Sequence, residues 1–255
     1  MRYRRGGAMI LAPMLALGAS LALGACADRT GGLRDTPSLG VADSALSNGD
    51  PDFALRIAQR MIAADPNNAA AWVRQGDAFA AMENPFQARG SYQKALALSP
   101  AAVGAQMGMG RLAIRSNPGE AVGWFRRVLE RRSDQEPAAN NDLGIALDLL
   151  GQHAAAQDSY RRALDLQPDL SAAQVNLGLS LALSGHAREG AAMIRPLAEG
   201  TGATPRMRED LATALLLDGQ DDAARQVLSH DVPPERLDDS LRALRSLRSV
   251  PADGH

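Results

Sequence analysis

The sequence is poor in cysteine, in aromatic residues and in net charge. A single cysteine among 255 residues excludes an internal disulfide framework and a zinc site built on several cysteines. Aromatic residues make up only 4% of the chain, so large rings cannot dominate a core, whereas the abundant alanine suits closely packed helices. The formal net charge of −2 argues against a nucleic-acid-binding protein, whose surface would be basic.

The N-terminal segment differs in composition from the rest of the chain. Arg2, Arg4 and Arg5 precede an apolar stretch over residues 8–23. A positive segment followed by a short apolar stretch is typical of a secretory signal peptide. The stretch is too short for a stable membrane span, and no later segment is as apolar. We therefore predict that residues 1–25 are a signal peptide and leave them out of the fold.

The only cysteine follows this segment directly, in the tetrapeptide Leu23-Gly24-Ala25-Cys26. The tetrapeptide resembles the lipobox of bacterial lipoproteins, in which a branched apolar residue and two small residues precede a cysteine that accepts a diacylglycerol. The resemblance implies lipid attachment to Cys26, with residues 26–36 as the lipidated cysteine and a short polar tether. In that family Ala27, in place of Asp, favours the periplasmic face of the outer membrane. The alternative is an ordinary secreted protein with an incidental cysteine.

The remainder of the chain is periodic. A small residue recurs inside an apolar run at steps of 34 residues, as Ala42, Gly76, Gly110, Gly144, Gly178 and Ala212. A turn position follows each small residue at a constant distance, as Gly49, Glu83, Asn117, Gly151, Gly185 and Gly219. A fixed period of this length indicates a solenoid of repeated supersecondary units.

The repeat resembles the tetratricopeptide repeat. Residues 69–102 carry the family pattern as Trp72, Gly76, Phe79, Ala88, Tyr92, Ala95 and Pro100, and residues 137–170 carry it nearly as well. The third copy departs from the pattern, because Phe125 stands one position early and Asp134 replaces the closing proline, so we expect a shifted second helix there. The first copy has Ser38 at the usual tryptophan position, which suits an end cap.

The resemblance implies an all-α tetratricopeptide-repeat superhelical solenoid of about six helical hairpins over residues 37–233. Within a unit, Leu143 and Leu147 recur with helical spacing, and Gly151 supplies the left-handed residue that ends the first helix. Residues 234–255 form a seventh piece, an amphipathic helix and tail. It either caps the last repeat or binds a partner or a membrane surface.

Chemistry-bearing residues form no catalytic pattern. No nucleophile stands near a base in any arrangement we recognise, no glycine-rich phosphate loop follows a strand, and no histidines have the spacing of metal ligands. His153 and His186 fall in turns between paired helices, where we expect them to be exposed. We therefore predict a protein without enzymatic activity, metal or cofactor.

Function is then expected from the groove that the first helices of such repeats line. Transferred by position, the groove is charged and mixed in the early repeats and apolar across the fourth and fifth. An apolar floor suits an amphipathic helix of a partner protein. We predict contacts from Asn141, Ile145, Val175, Leu179 and Leu183. The alternative is that these residues pack neighbouring repeats or hold the chain's own tail.

A lipidated protein with six such repeats resembles the TadD-type assembly lipoproteins of Tad (Flp) pili and the pilotins of type IV pili. Both groups are linked to the secretin channel, so the resemblance implies a role in secretin localisation or assembly. The alternative function is a periplasmic scaffold for cell-wall enzymes or for outer-membrane assembly.

Overall fold

The computed structural model describes residues 38–132 and 136–246, which contain thirteen helices and no strand. The helices are α1 (Leu39–Ser47), α2 (Pro51–Ala64), α3 (Ala69–Ala81), α4 (Pro85–Leu98), α5 (Val103–Ala113), α6 (Pro118–Arg132), α7 (Pro137–Leu149), α8 (His153–Leu166), α9 (Ser171–Leu183), α10 (Ala187–Ala198), α11 (Pro205–Leu217), α12 (Asp221–Leu228) and α13 (Pro234–Ser246). Consecutive helices pair into six hairpins, which confirms the predicted all-α solenoid. The predicted signal peptide, lipidated Cys26 and tether lie outside the described residues, as does the end of the tail.

Helix starts follow from capping side chains and prolines. The Asp50 and Asn84 carboxylate and amide oxygens accept hydrogen bonds from backbone N–H groups three residues on, and a proline occupies the next position in both helices. Proline suits the first helical position because its missing N–H has no intrahelical partner there. These local signals place the starts of α2 and α4 at the same point of their repeats.

The turns inside the hairpins confirm the predicted turn positions, with one exception. Gly49, Gly151, Gly185 and Gly219 have positive φ, and Glu83 has φ +56° at the equivalent position. A positive φ strains any residue with a Cβ, so glycine is the residue expected here.

The exception is the third hairpin, where the second helix is shifted as predicted. Helix α6 begins at Pro118, one residue earlier in its repeat than α4 or α8. Asn117 therefore serves as its N-cap and accepts a hydrogen bond from the Glu120 N–H at 3.2 Å. Because Asn117 is the residue that directly precedes α6, it does not need the left-handed conformation.

The small residue of each repeat is the contact point of its two helices. The Tyr160 ring, 1% exposed, packs on the backbone of Gly144, and a Cβ at Gly144 would overlap ring carbons. Tyr92 packs in the same way on Gly76 and also on Gly108 of the next hairpin. The predicted close approach of the two helices is therefore confirmed.

Helix α13 packs on the last hairpin through its apolar face. Leu237 and Leu241 are buried against α11 and α12, and Leu244 is partly buried beside them. On the polar face Arg245 bonds to Asp221 of α12, with Nε 2.8 Å from Oδ1. Covering the apolar end of the stack in this way is the role of a capping element in a solenoid. Among the described helices, none is long and apolar enough to cross a membrane.

Candidate protein-binding groove

The candidate groove is lined by the first helices of the hairpins. First helices of neighbouring hairpins contact each other directly, as in the pairs α1 and α3, α3 and α5, α7 and α9, and α9 and α11. Second helices of neighbouring hairpins contact each other less extensively. The first helices therefore form the inner layer of the stack. Residues one and five positions after each repeat's small residue recur on this layer in every hairpin.

Two of the five predicted groove residues are buried. Val175 is 4% exposed and belongs to an apolar cluster with residues of α10 and α11. Asn141 is 8% exposed, and its Oδ1 accepts a hydrogen bond from Asn176 Nδ2 at 2.9 Å, which ties α7 to α9. Both side chains thus pack neighbouring repeats, as the alternative interpretation expects, and neither offers free surface.

The other three predicted residues present apolar surface. Ile145, Leu179 and Leu183 are half-buried, and Leu149, one helical turn beyond Ile145, is 57% exposed. Leu217 occupies the equivalent position in the sixth hairpin and is half-buried. We call Ile145, Leu149, Leu179, Leu183 and Leu217 the apolar strip. Its residues lie at equivalent positions on α7, α9 and α11, and Ile145 and Leu179 also contact the core beneath them.

The early part of the groove is charged, but its charges are paired. Arg74 bonds to Asp43 of the preceding hairpin and to Asp77 of its own. Asp77 also accepts a hydrogen bond from the Tyr92 hydroxyl at 2.8 Å. Burial raises the pKa of Asp77, although the Tyr92 hydroxyl and nearby arginines oppose the shift. The side chains that could attract a charged ligand are therefore largely satisfied within the protein.

A second ion pair joins the two halves of the groove. Arg111 of α5 donates from Nε to Asp142 Oδ2 of α7 at 2.7 Å, and the Asp142 side chain is only 12% exposed. The Arg111 side chain is more exposed, at 56%, so the buried partner of this charge-assisted hydrogen bond is Asp142. This contact bridges the third and fourth hairpins, where the apolar strip begins.

Asp148 organises the wall of the groove and was not identified from the sequence. Its carboxylate accepts hydrogen bonds from the Tyr160 hydroxyl at 2.9 Å and from Ser180 Oγ at 2.7 Å. His153 Nδ1 lies 2.8 Å from the same carboxylate, and His153 is half-buried. The prediction that His153 is an exposed turn residue was therefore wrong. Burial and the Asp148 charge raise the pKa of Tyr160. Asp148 and Tyr160 belong to the fourth hairpin, whereas Ser180 belongs to the fifth. No local sequence pattern indicates this contact between two hairpins.

The groove has the chemistry of a docking surface. Within residues 38–132 and 136–246, no group of three or more His, Cys, Asp or Glu side chains is placed to hold a metal ion. The half-buried leucines and isoleucine of the apolar strip can bury further apolar surface against a partner, at about 25 cal/mol per Å².

The comparisons with known proteins agree with this architecture. Residues 39–85, 74–137 and 115–171 match the tetratricopeptide-repeat family, and together they span more than half of the chain. A search of curated protein sequences found no match.

Three solved structures illustrate the structural likeness. PilW, described as a widely conserved type IV pilus biogenesis factor, has a TM-score of 0.68 and 19% identity, over 81% of this chain and 96% of that chain. PilF of Pseudomonas aeruginosa has a TM-score of 0.65 and 15% identity, over 80% and 95%. YrrB, described as having an unusual peptide-binding site, has a TM-score of 0.54 and 20% identity, over 73% and 96%.

Identities this low show a shared fold alone, whereas the sequence match shows the family. In the structure, the matched sequence pattern corresponds to the small residues at the helix contacts, to the rings that pack on them and to the turns of the hairpins. The chain belongs to the tetratricopeptide-repeat family, whose members generally serve as non-catalytic scaffolds that bind other proteins.

Proposed function

We propose that this protein is a lipid-anchored assembly factor of a Tad (Flp)-type pilus or a related secretion apparatus. Its groove would capture a helical segment of a secretin subunit or of another pilus-assembly component. The observation that carries the proposal is the apolar strip, which runs across three adjacent first helices and stays partly exposed. An amphipathic helix presents apolar residues at a spacing that matches such a strip.

The sequence supports an anchor at the start of the chain. The lipobox-like tetrapeptide ends at Cys26, and a polar segment separates this cysteine from α1. Burial of acyl chains contributes about 0.8 kcal/mol per CH₂, so the two or three chains of a bacterial lipoprotein would hold the protein firmly at a membrane. The residue Ala27 favours the periplasmic face of the outer membrane in this proposal.

The structural comparisons support the proposed setting only in general terms. PilW is described as a type IV pilus biogenesis factor, and it shares the repeat architecture over most of both chains. An interaction scaffold at the outer membrane is suited to bringing secretin subunits together, since assembly needs binding and no chemical step.

A groove variant tests the proposal. In Leu183→Asp a charge replaces an apolar residue of the strip, so partner binding loses about 1.5–3 kcal/mol of leucine burial and a charge must also be desolvated. We expect capture of purified secretin subunits to weaken by about tenfold or more. Leu149→Asp should act in the same way, with less effect on folding because Leu149 is 57% exposed.

Leu166→Asp is the matched control. Leu166 is 45% exposed at the end of α8, a second helix outside the groove, so the same substitution should leave secretin capture unchanged. Helicity and melting are measured for all three variants. Wild-type capture by folded Leu149→Asp and Leu183→Asp would contradict the groove, and capture of peptidoglycan hydrolases instead of secretin would contradict the pilus assignment.

A second experiment tests the anchor separately. Cells grown with radiolabelled palmitate should label the wild-type protein, and Cys26→Ser should lose the label and leave the membrane fraction. An unlabelled wild-type band would refute lipidation while leaving the groove measurement intact.

A further inference from the structure

One position recurs as the fourth residue of the first helices α3, α5, α7 and α9. It lies four residues before each repeat's small residue, and in four hairpins its side chain donates a hydrogen bond to the backbone carbonyl of the preceding loop. The bonds are Trp72 Nε1 to Pro66 O at 2.9 Å, Gln106 Nε2 to Pro100 O at 2.8 Å, Asn140 Nδ2 to Glu136 O at 3.3 Å and Gln174 Nε2 to Pro168 O at 2.8 Å. The bond is common to these hairpins, but the size of the side chain differs.

The third hairpin has an open pocket beside this position. In the second hairpin the position carries the large indole of Trp72, which packs against the apolar cluster around Tyr92. In the third hairpin it carries the smaller Gln106, and a pocket of about 310 Å³ lies between α4 and α6. The pocket is lined by Leu96, Pro100, Gln106, Trp124, Arg127 and Arg131.

The inner wall is apolar, and a buried hydrogen-bond acceptor without a partner belongs to one of its residues. Leu96, Pro100 and Trp124 supply the apolar part. Gln106 is 2% exposed, and its Oε1 is buried without a hydrogen-bond partner in the described part of the chain. Because its Nε2 is held by Pro100 O, the amide orientation is defined. A buried acceptor of this kind gains free energy when a donor reaches it.

The rim of the pocket is positively charged. The Arg127 guanidinium lies over the Trp124 ring, 4.8 Å from its centroid, and Arg131 follows one helical turn later. Both arginines are exposed, and neither makes an ion pair with another described residue. Stacking orders the guanidinium while leaving its N–H edge free for a carboxylate.

Two acids of α6, Glu120 and Glu130, do not pair with these arginines. Glu120 lies 3.9 Å from Arg89 and accepts a hydrogen bond from Trp124 Nε1 at 3.2 Å. Glu130 lines a different groove, between α6 and α8. Within residues 38–132 and 136–246, no carboxylate forms an ion pair with either arginine.

We propose that this pocket binds an aromatic side chain with an N–H or O–H donor, in a partner segment that has acidic neighbours. The ring would take the place that the Trp72 indole has in the second hairpin, and a small movement of the Gln106 side chain would bring its buried Oε1 within reach of the donor. The acidic neighbours would bind Arg127 and Arg131. None of the residues that line this pocket belongs to the apolar strip, so the site is distinct from the groove and does not depend on it.

Short peptides test the site on the full chain. Fluorescein-labelled EEWEE is the probe, with EEAEE and KKWKK as comparisons, and binding is followed by fluorescence anisotropy. We expect EEWEE to bind most tightly and to weaken when the salt concentration rises from about 50 to 500 mM, because the rim charges are exposed. Gln106→Trp should weaken EEWEE binding by about tenfold, since the protein's own indole then fills the pocket.

The matched control is Gln174→Trp. Gln174 makes the same bond to its loop in the fifth hairpin, so this variant should bind EEWEE like the wild type. The double variant Arg127→Gln, Arg131→Gln should also bind about tenfold more weakly and lose the salt dependence; both residues are exposed, so it remains informative if Gln106→Trp fails to fold. Circular dichroism checks folding.

Three results would overturn the proposal. Wild-type affinity in folded Gln106→Trp would exclude the pocket, and wild-type affinity in the arginine double variant would exclude the rim. Equal binding of EEAEE and EEWEE would show attraction of charge without a ring site. Leu183→Asp should leave EEWEE binding unchanged, which separates this site from the groove.

Discussion

The Phe125 ring packs on the backbone of Gly110, although Phe125 stands one residue nearer to its glycine than Tyr92 does to Gly76. Phe125 is fully buried. The early start of α6 compensates for the shifted position, because it rotates the helix so that the ring still faces the glycine. A departure from the repeat pattern in sequence is therefore no departure in packing.

The contact between Phe125 and Gly110 predicts that a methyl group at position 110 destabilises the protein. Gly110→Ala should lower the free energy of unfolding by about 1–3 kcal/mol, because the new Cβ overlaps Phe125 ring carbons. Gly123→Ala is the control: Gly123 is an exposed helical residue of α6 with open space around its Cβ position, so alanine should stabilise the protein by up to about 1 kcal/mol. Urea unfolding measures both. Equal stability of Gly110→Ala and the wild type would contradict the close contact.

The turn of the second hairpin stores backbone strain. Glu83 adopts φ +56° where four other hairpins have glycine, so Glu83→Gly should stabilise the protein by up to about 1 kcal/mol. Asn117→Gly at the equivalent position should instead destabilise it by a few tenths of a kcal/mol, since Asn117 caps α6 and has no positive φ. Thermal melting of the two variants should therefore shift in opposite directions; a loss in both would show that glycine acts only through the unfolded chain.

The buried carboxyl group of Asp77 predicts a pH dependence. Burial raises its pKa above the ordinary value, so protonation favours the folded state, and the contribution of Asp77 to stability is lost as the pH rises through its folded pKa. Asn cannot titrate. The melting temperature of Asp77→Asn minus that of the wild type should therefore be more positive at neutral pH than at about pH 3, below the ordinary carboxyl pKa of about 3.9. Calorimetry at both pH values checks this, and a constant difference would refute the raised pKa.

The capping helix predicts a local loss of stability. Leu241 is 1% exposed against the last hairpin, so Leu241→Ala should cost about 2–5 kcal/mol in that region. Because neighbouring repeats of a solenoid are coupled only through their interfaces, amide hydrogen exchange should accelerate in α11–α13 and remain unchanged in α3. Leu244→Ala, at a half-buried position of the same helix, should have a smaller effect. Uniform acceleration along the chain would indicate one cooperative core.

The candidate groove was only partly predictable. The positions of Ile145, Leu179 and Leu183 on the inner layer follow from the period, and the structure leaves them partly exposed. Asn141 and Val175 stand at equally regular positions, yet the next first helix covers them. The repeat period predicts which face of a first helix a residue occupies. The solvent exposure of that residue depends on how close the neighbouring hairpin lies.

The sequence by itself determined the helical hairpins, most of their turn positions and the six-hairpin architecture, because capping residues, prolines, glycines and apolar spacing act over a few residues. The tertiary structure alone decided which side chains meet across repeats. The bonds of Asp148 to Ser180 and of Arg111 to Asp142, and the pocket beside Gln106, join residues of different hairpins. Their geometry depends on the distance and rotation between hairpins, which arise from the summed packing of many side chains and have no local signature in the sequence.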